Sequence, residues 1–98
     1  MAAVVNLLHF KDPVDPSLFT RATDQLGYAM RAVPGFEGFD VVQTSDHDVV
    51  LLIFADSEDT LNRLAGEIGG PWMVENIVPL LDGPPQRHIG PTLASVRR

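Results

Sequence analysis

Two hydrophobic periods alternate along the chain, and the switches between them predict its elements. Residues 4–10 (VVNLLHF) are apolar on both parities and β-branched at the start, which predicts a first strand. Lys11-Asp12-Pro13-Val14 reads as a turn. The period then lengthens. Phe19, Ala22, Leu26, Ala29, Met30 and Val33 share one helical face, while Arg21, Asp24, Gln25 and Arg31 lie away from it. Asp15 offers a carboxylate to the orphan amides of a first helical turn, and Pro16 has no amide to orphan. A helix is predicted from there to about Ala32, where Pro34-Gly35 stops it.

Residues 36–44 predict a second strand with Gly38 as a bulge. Ser45-Asp46-His47-Asp48 reads as a polar hairpin turn, and residues 49–55 (VVLLIFA) as a third strand without a polar side chain. Ser57 is a candidate N-cap for a helix to about Ile68, with Leu61, Leu64, Ala65 and Ile68 inward. Gly69-Gly70 is expected to break that helix and Pro71 to open another, whose apolar face is Met73, Ile77, Leu80 and Leu81. Pro79 should kink it or end its regular hydrogen bonding early. After Asp82-Gly83-Pro84-Pro85, residues 86–89 predict a fourth strand, and residues 90–98 a tail that orders only against something else.

The order β-α-β-β-α-α-β over a single domain, residues 1–98 with an ordered core of about 4–89, predicts an α+β, ferredoxin-like fold. Its antiparallel sheet would carry helices on one face. Such a sheet should alternate apolar and polar residues. The third strand instead puts Val49, Leu51, Ile53 and Ala55 on one face and Val50, Leu52 and Phe54 on the other. The first puts Val5 and Leu7 opposite Val4, Leu8 and Phe10. Burying five or six such side chains is worth on the order of 10 kcal/mol before association costs. A second copy, related by a two-fold axis, is the expected cover, giving a homodimer through the apolar sheet face. The alternative is a sheet whose outer face stays largely solvated.

Composition narrows the partners. With 98 residues the chain buries only roughly 60–65% of its unfolded surface, so an oligomer contact would add to stability. Charged residues make up only 20%, which suits a second hidden apolar surface. A net charge of −6 and a pI near 4.7 repel phosphate backbones and anionic headgroups, which argues against nucleic acid and membrane partners. Without cysteine there are no disulfides, thiolate metal sites or thiol nucleophiles. A cytoplasmic location fits that absence, and MAAVVNLLHF lacks the basic lead and length of a signal peptide or membrane span.

Three segments in this order resemble the dimeric α/β-barrel superfamily, particularly its antibiotic biosynthesis monooxygenase and stress-responsive barrel groups. They are Val33-Pro34-Gly35-Phe36 entering the second strand, Phe54-Ala55-Asp56-Ser57-Glu58 leaving the third, and Val78-Pro79-Leu80-Leu81-Asp82-Gly83-Pro84-Pro85. The resemblance covers roughly residues 4–93. It implies two sheets packed into a barrel and a ligand in a cleft between a protomer's sheet and its helices. Some members oxidise polyphenols without a bound cofactor, some degrade haem, and others are isomerases, decarboxylases or have no known activity. Fold does not choose among them.

The resemblance makes Asn6 the candidate catalytic residue, a strand-one asparagine aimed into the cleft; read from the residues alone, it is an amide that needs partners. Trp72 and Asn76, four apart on one helix flank, are candidate substrate-binding residues, as stacking wall and hydrogen-bonding group for a planar ligand. The competing reading makes Trp72 a core cap. Tyr28, the only phenol, could donate to a ligand oxygen or simply snorkel. Oxidative relatives often carry a tryptophan where this chain has Ala55, and can use an asparagine and a tyrosine where it has Leu51 and Leu61. Haem degraders need an axial histidine where it has Asn76, and an amide is a poor iron ligand. His9 should point away from the cleft, His47 sits among turn acids as solvated charge, and His88 falls in the last strand. No pair has metal-ligand spacing on one element, and HExxH, GxSxG and a phosphate loop are missing. Asp56, Glu58 and Asp59 fit helix stabilisation.

The sequence thus supports a cofactor-independent, monooxygenase-like protein for a small aromatic or polyketide-type compound, with no metal and no bound cofactor. The alternative is a non-catalytic small-ligand-binding or structural dimer of the same fold.

Overall fold

The computed structural model describes all 98 residues. Strand β1 (Ala2–His9) leads through a turn to helix α1 (Pro16–Arg31), and then come β2 (Phe36–Gln43) and β3 (Asp48–Ala55). Helix α2 (Glu58–Leu64) runs through a π-helical turn (Ala65–Gly69) into α3 (Gly70–Asn76). A 3₁₀ turn (Val78–Leu80) precedes β4 (Gln86–Pro91). The strands pair in the order β2-β3-β1-β4, every neighbouring pair antiparallel, as the ferredoxin-like reading requires.

Local chemistry sets the helix starts. Asp15 Oδ1 accepts the Ser17 amide at 3.0 Å, and this hydrogen bonding holds the Asp15 carboxyl below its usual range. Ser57 Oγ accepts the Thr60 amide at 3.1 Å, and Thr60 Oγ1 donates to Asp56 Oδ1 at 2.6 Å. Two of the segments behind the family resemblance meet here. The Asp56 amide donates to the Gly35 carbonyl at 2.9 Å, and the Asp56 carboxylate lies 2.6 Å from where a Cβ on Gly35 would stand. With φ at +93° as well, position 35 admits only glycine without strain.

Three expectations need correction. Gly69-Gly70 does not break the helix. The Gly70 amide bonds to the Ala65 carbonyl, five residues back, and the widened turn accommodates Pro71, which has no amide to give. The first strand begins at Ala2, and the fourth continues to Pro91, because their ends pair with each other. His47 is not a freely solvated turn residue: it is half-buried, and its Nδ1 bonds to the Phe10 carbonyl at 3.1 Å. Gly38 does mark a bulge, where β2 shifts register between Phe36 and Gly38.

The helices cover one sheet face only. On that face Ala2, Val4, Asn6 and Leu8 of β1 stand opposite Ala55, Ile53, Leu51 and Val49 of β3. The core beneath the helices forms two apolar clusters, one around Val4, Leu26, Met30 and Leu64, the other around Leu8, Phe10, Val49 and Ile77. On the opposite face lie Val5, Leu7, Val50, Leu52 and Phe54, with no layer over them; Asp40 and His88 occupy the same face on the edge strands. Neighbouring side chains already half-bury Val5, Val50, Leu52 and Phe54, so covering this face gains less than burying wholly exposed residues would. No helix is long and apolar enough to cross a membrane.

Candidate functional site: a helix–sheet groove and the Asn6 row

Asn6 is the one polar residue of β1 on the helix side, and it sits in the strand between Val4 of one cluster and Leu8 of the other. Register places it in a cross-strand row that reads Val41, Leu51, Asn6, Arg87 from β2 to β4. Its side-chain amide makes no hydrogen bond within the chain. No buried side-chain nitrogen or oxygen is left unsatisfied, so that amide is within reach of a water or a ligand.

The outer end of the same row opens into a groove. Between α1 and the edge strand β2 runs a cavity of about 800 Å³, floored by Phe36, Phe39 and Val41 and walled by Phe19, Thr23 and Gly27. Gly27 keeps this wall thin, since α1 presents no side chain there. From Val41 to Asn6 is two strand spacings, about 10 Å, the length of a fused two- or three-ring aromatic. Leu51 lies between them and is buried, so a ligand reaching Asn6 from the groove would have to displace the side chains packed over Leu51.

Trp72 spans both core clusters, and its indole Nε1–H donates to Gln25 Oε1 on α1 at 2.9 Å. This bond ties α3 to α1. Asn76 uses its amide on the Trp72 carbonyl at 3.0 Å, one turn back. The structure therefore brings Trp72 and Asn76 together but places neither on the groove, and Asn6 is not among the groove's lining residues either; it shares only the cross-strand row whose outer member, Val41, lines it. Tyr28 stands apart: it is 84% exposed on α1 and lines none of the larger cavities. The groove residues Thr23 and Gly27 were not singled out from the sequence. A glycine on the inward row of an otherwise regular helix was the available signal.

The histidines lie elsewhere. His9 is on the uncovered face, where its Nδ1 meets Asp48 Oδ1 at 2.6 Å, and Ser45 Oγ donates to Asp48 Oδ2 at 2.6 Å. The bond to Asp48 raises the His9 pKa, and the bonds from Ser45 and then His9 lower that of Asp48. No group of three or more histidines and carboxylates is placed to hold a metal ion.

A four-stranded antiparallel sheet in the order β2-β3-β1-β4, backed by helices on one face, defines a ferredoxin-like fold, which solved structures of other proteins share. A cofactor-independent oxygenase from Streptomyces nogalater, SnoaB, superposes with a TM-score of 0.74 at 13% identity, covering 99% of this chain and 97% of its own. A monooxygenase from the gene ActVA-Orf6 of Streptomyces coelicolor, in complex with nanaomycin D, gives 0.75 at 20%, covering 99% and 91%. A mutant of MhuD with two manganese protoporphyrin IX bound per active site gives 0.74 at 15%, covering 100% of both chains. At these identities the likeness is one of fold. No protein-family model matches the sequence, and no curated protein does.

Proposed function

We propose that this protein is a homodimeric, cofactor-independent monooxygenase for a small, planar, electron-rich aromatic compound bound between the groove and Asn6. The observation that carries the proposal is the unpartnered Asn6 amide at the inner end of an apolar row that opens into the helix–sheet groove. The oxygenases among the structures of this fold support it. In this reading the apolar row holds a phenol or hydroquinone flat, and dioxygen is the co-substrate. With 1,4-naphthohydroquinone as probe, the reaction consumes one dioxygen. One oxygen atom ends on the ring, giving 2-hydroxy-1,4-naphthoquinone, and the other leaves as water, all electrons coming from the substrate. The Asn6 N–H donates to the oxyanion that develops as the ring is oxidised.

A second reading has its own observation. Ala55 is 0% exposed, and Leu51 and Leu61 are buried, so the positions where oxidative relatives carry tryptophan, asparagine and tyrosine are filled by apolar core. A dimer that binds an aromatic ligand without turning it over would look like this. Oxygen uptake with naphthohydroquinone, measured above the autoxidation blank, separates the two. The enzyme reading expects uptake with formation of the hydroxyquinone, reduced about 10²–10³-fold by Asn6→Ala, the usual loss for one oxyanion donor. Binding without uptake supports the second reading, and uptake unaffected by Asn6→Ala removes the site.

A further inference from the structure

The chain does not end where β4 does. The Thr92 amide donates to the Met1 carbonyl at 3.0 Å, beside the start of β1. Five residues later Arg97 lines a cavity with Met1, Gly38, Asp40 and Phe54. Asp40 and Phe54 both project from the sheet face that carries no helices. The last residues therefore cross the end of the sheet on that face, from β4 at one edge to β2 at the other. Three strand spacings are about 14 Å. Five extended residues span at most about 18 Å, so the crossing segment has little slack to fold its side chains back.

Its apolar side chains are accordingly outside. Leu93 is 96% exposed and Val96 92%, the two most exposed large hydrophobic residues of the chain. Both belong to the segment that runs from Thr92, bonded to Met1, to Arg97, beside Asp40 and Phe54, at the end of an uncovered face whose centre is Val5, Val50, Leu52 and Phe54. The segment ends in Arg97 and Arg98, two of only seven cations in a chain of net charge −6, and Arg97 reaches the cavity that also includes Glu37 and Asp40. Arg97 thus ties the segment to its own acidic β2 edge while Leu93 and Val96 stay exposed beside the open face, the arrangement of an anchored arm whose apolar side chains are left for a second copy.

We propose that residues 92–98 are a clasp built in this way: Leu93 and Val96 bury against a second copy seated on the open face, and Arg97 holds the segment to its own β2 edge. The inference rests on the homodimer named above and adds the element that secures it. Sedimentation velocity over a dilution series, on the native 98-residue chain and on its L93S/V96S double variant, tests it. The native chain should sediment at twice 10.7 kDa, and the variant's dimer dissociation constant should rise at least about tenfold. Both side chains are solvent-exposed in the protomer, so the circular dichroism spectrum should not change. A variant that dimerises as tightly as the native chain overturns the clasp and leaves the dimer standing. A native chain that is monomeric at micromolar concentration overturns both.

Discussion

A methyl group on residue 70 would sit 2.5 Å from the Ala65 carbonyl oxygen, whereas one on residue 27 would find its nearest neighbour, Phe39 Cε1, at 3.8 Å. The two glycines thus do opposite things inside helices. Gly70→Ala forces the π turn open against its own backbone and should cost about 1–3 kcal/mol. Gly27→Ala makes an ordinary contact and removes unfolded-state freedom, so it should raise stability by about 0.5–1 kcal/mol while thickening the groove wall. Urea midpoints of the two variants check the pair, and shifts of the same sign would contradict the packing described for both positions. From sequence, Gly69-Gly70 reads as a helix break and Gly27 as an unremarked glycine in a helical pattern; what separates them is a distance to a non-adjacent atom. Of the two readings of Tyr28, a ligand donor or a margin residue that snorkels, its exposure fits the second. Being the only phenol made it conspicuous, but helical periodicity cannot show that a margin residue looks out to water rather than along the groove.

Elements were legible where composition left one choice. Every residue of VVLLIFA is apolar, so β3 reads as a strand without a polar face, and it lies inside the sheet with Val49, Leu51 and Ala55 buried toward the helices and Val50, Leu52 and Phe54 half-buried on the open face. Gly69-Gly70-Pro71 was misread because breakers in sequence also serve a π turn, where a five-residue bond replaces the one that proline cannot make. The β2–β3 hairpin shows how one turn can be pinned from outside. The Phe10 amide donates to the His47 carbonyl and the Val14 amide to the Asp46 carbonyl, both at 2.8 Å, and His9 pairs with Asp48. The His9 pKa is raised above 6.5, so its contribution to this pairing is full below that value and is lost as pH rises through the raised pKa. The Asp48 pKa is lowered below 3.8, so its contribution is present above that value and lost as pH falls through the lowered one. An NMR titration should find His9 above its ordinary value, and Asp48→Asn should bring it back down. A His9 pKa unmoved by that change would mean the pair is not formed in solution.

The whole molecule is a sheet with two apolar faces that serve two purposes. Helices close one face but leave a groove at the α1–β2 edge, and an unpartnered amide, Asn6, two strands in from Val41 on the groove floor. The other face is open and, on the present account, belongs to a second copy and its clasp. The doubling of apolar residues in β1 and β3 was plain in the sequence, because strand parity converts directly into sheet faces. The groove was not, because it arises where α1 meets β2 without a side chain at Gly27. Asn6 was singled out through the family resemblance, and the cross-strand row it shares with Val41 came only with the register. The most direct test of ligand placement is a ¹⁵N and methyl NMR titration of the native protein with 1,4-naphthohydroquinone under argon. The side-chain amide of Asn6 and the methyls of Leu51 and Val41 should shift together, while His9 and Leu7 on the far face stay unchanged. Shifts confined to the far face, or a saturating ligand that leaves the Asn6 amide unmoved, would contradict the assignment of the site.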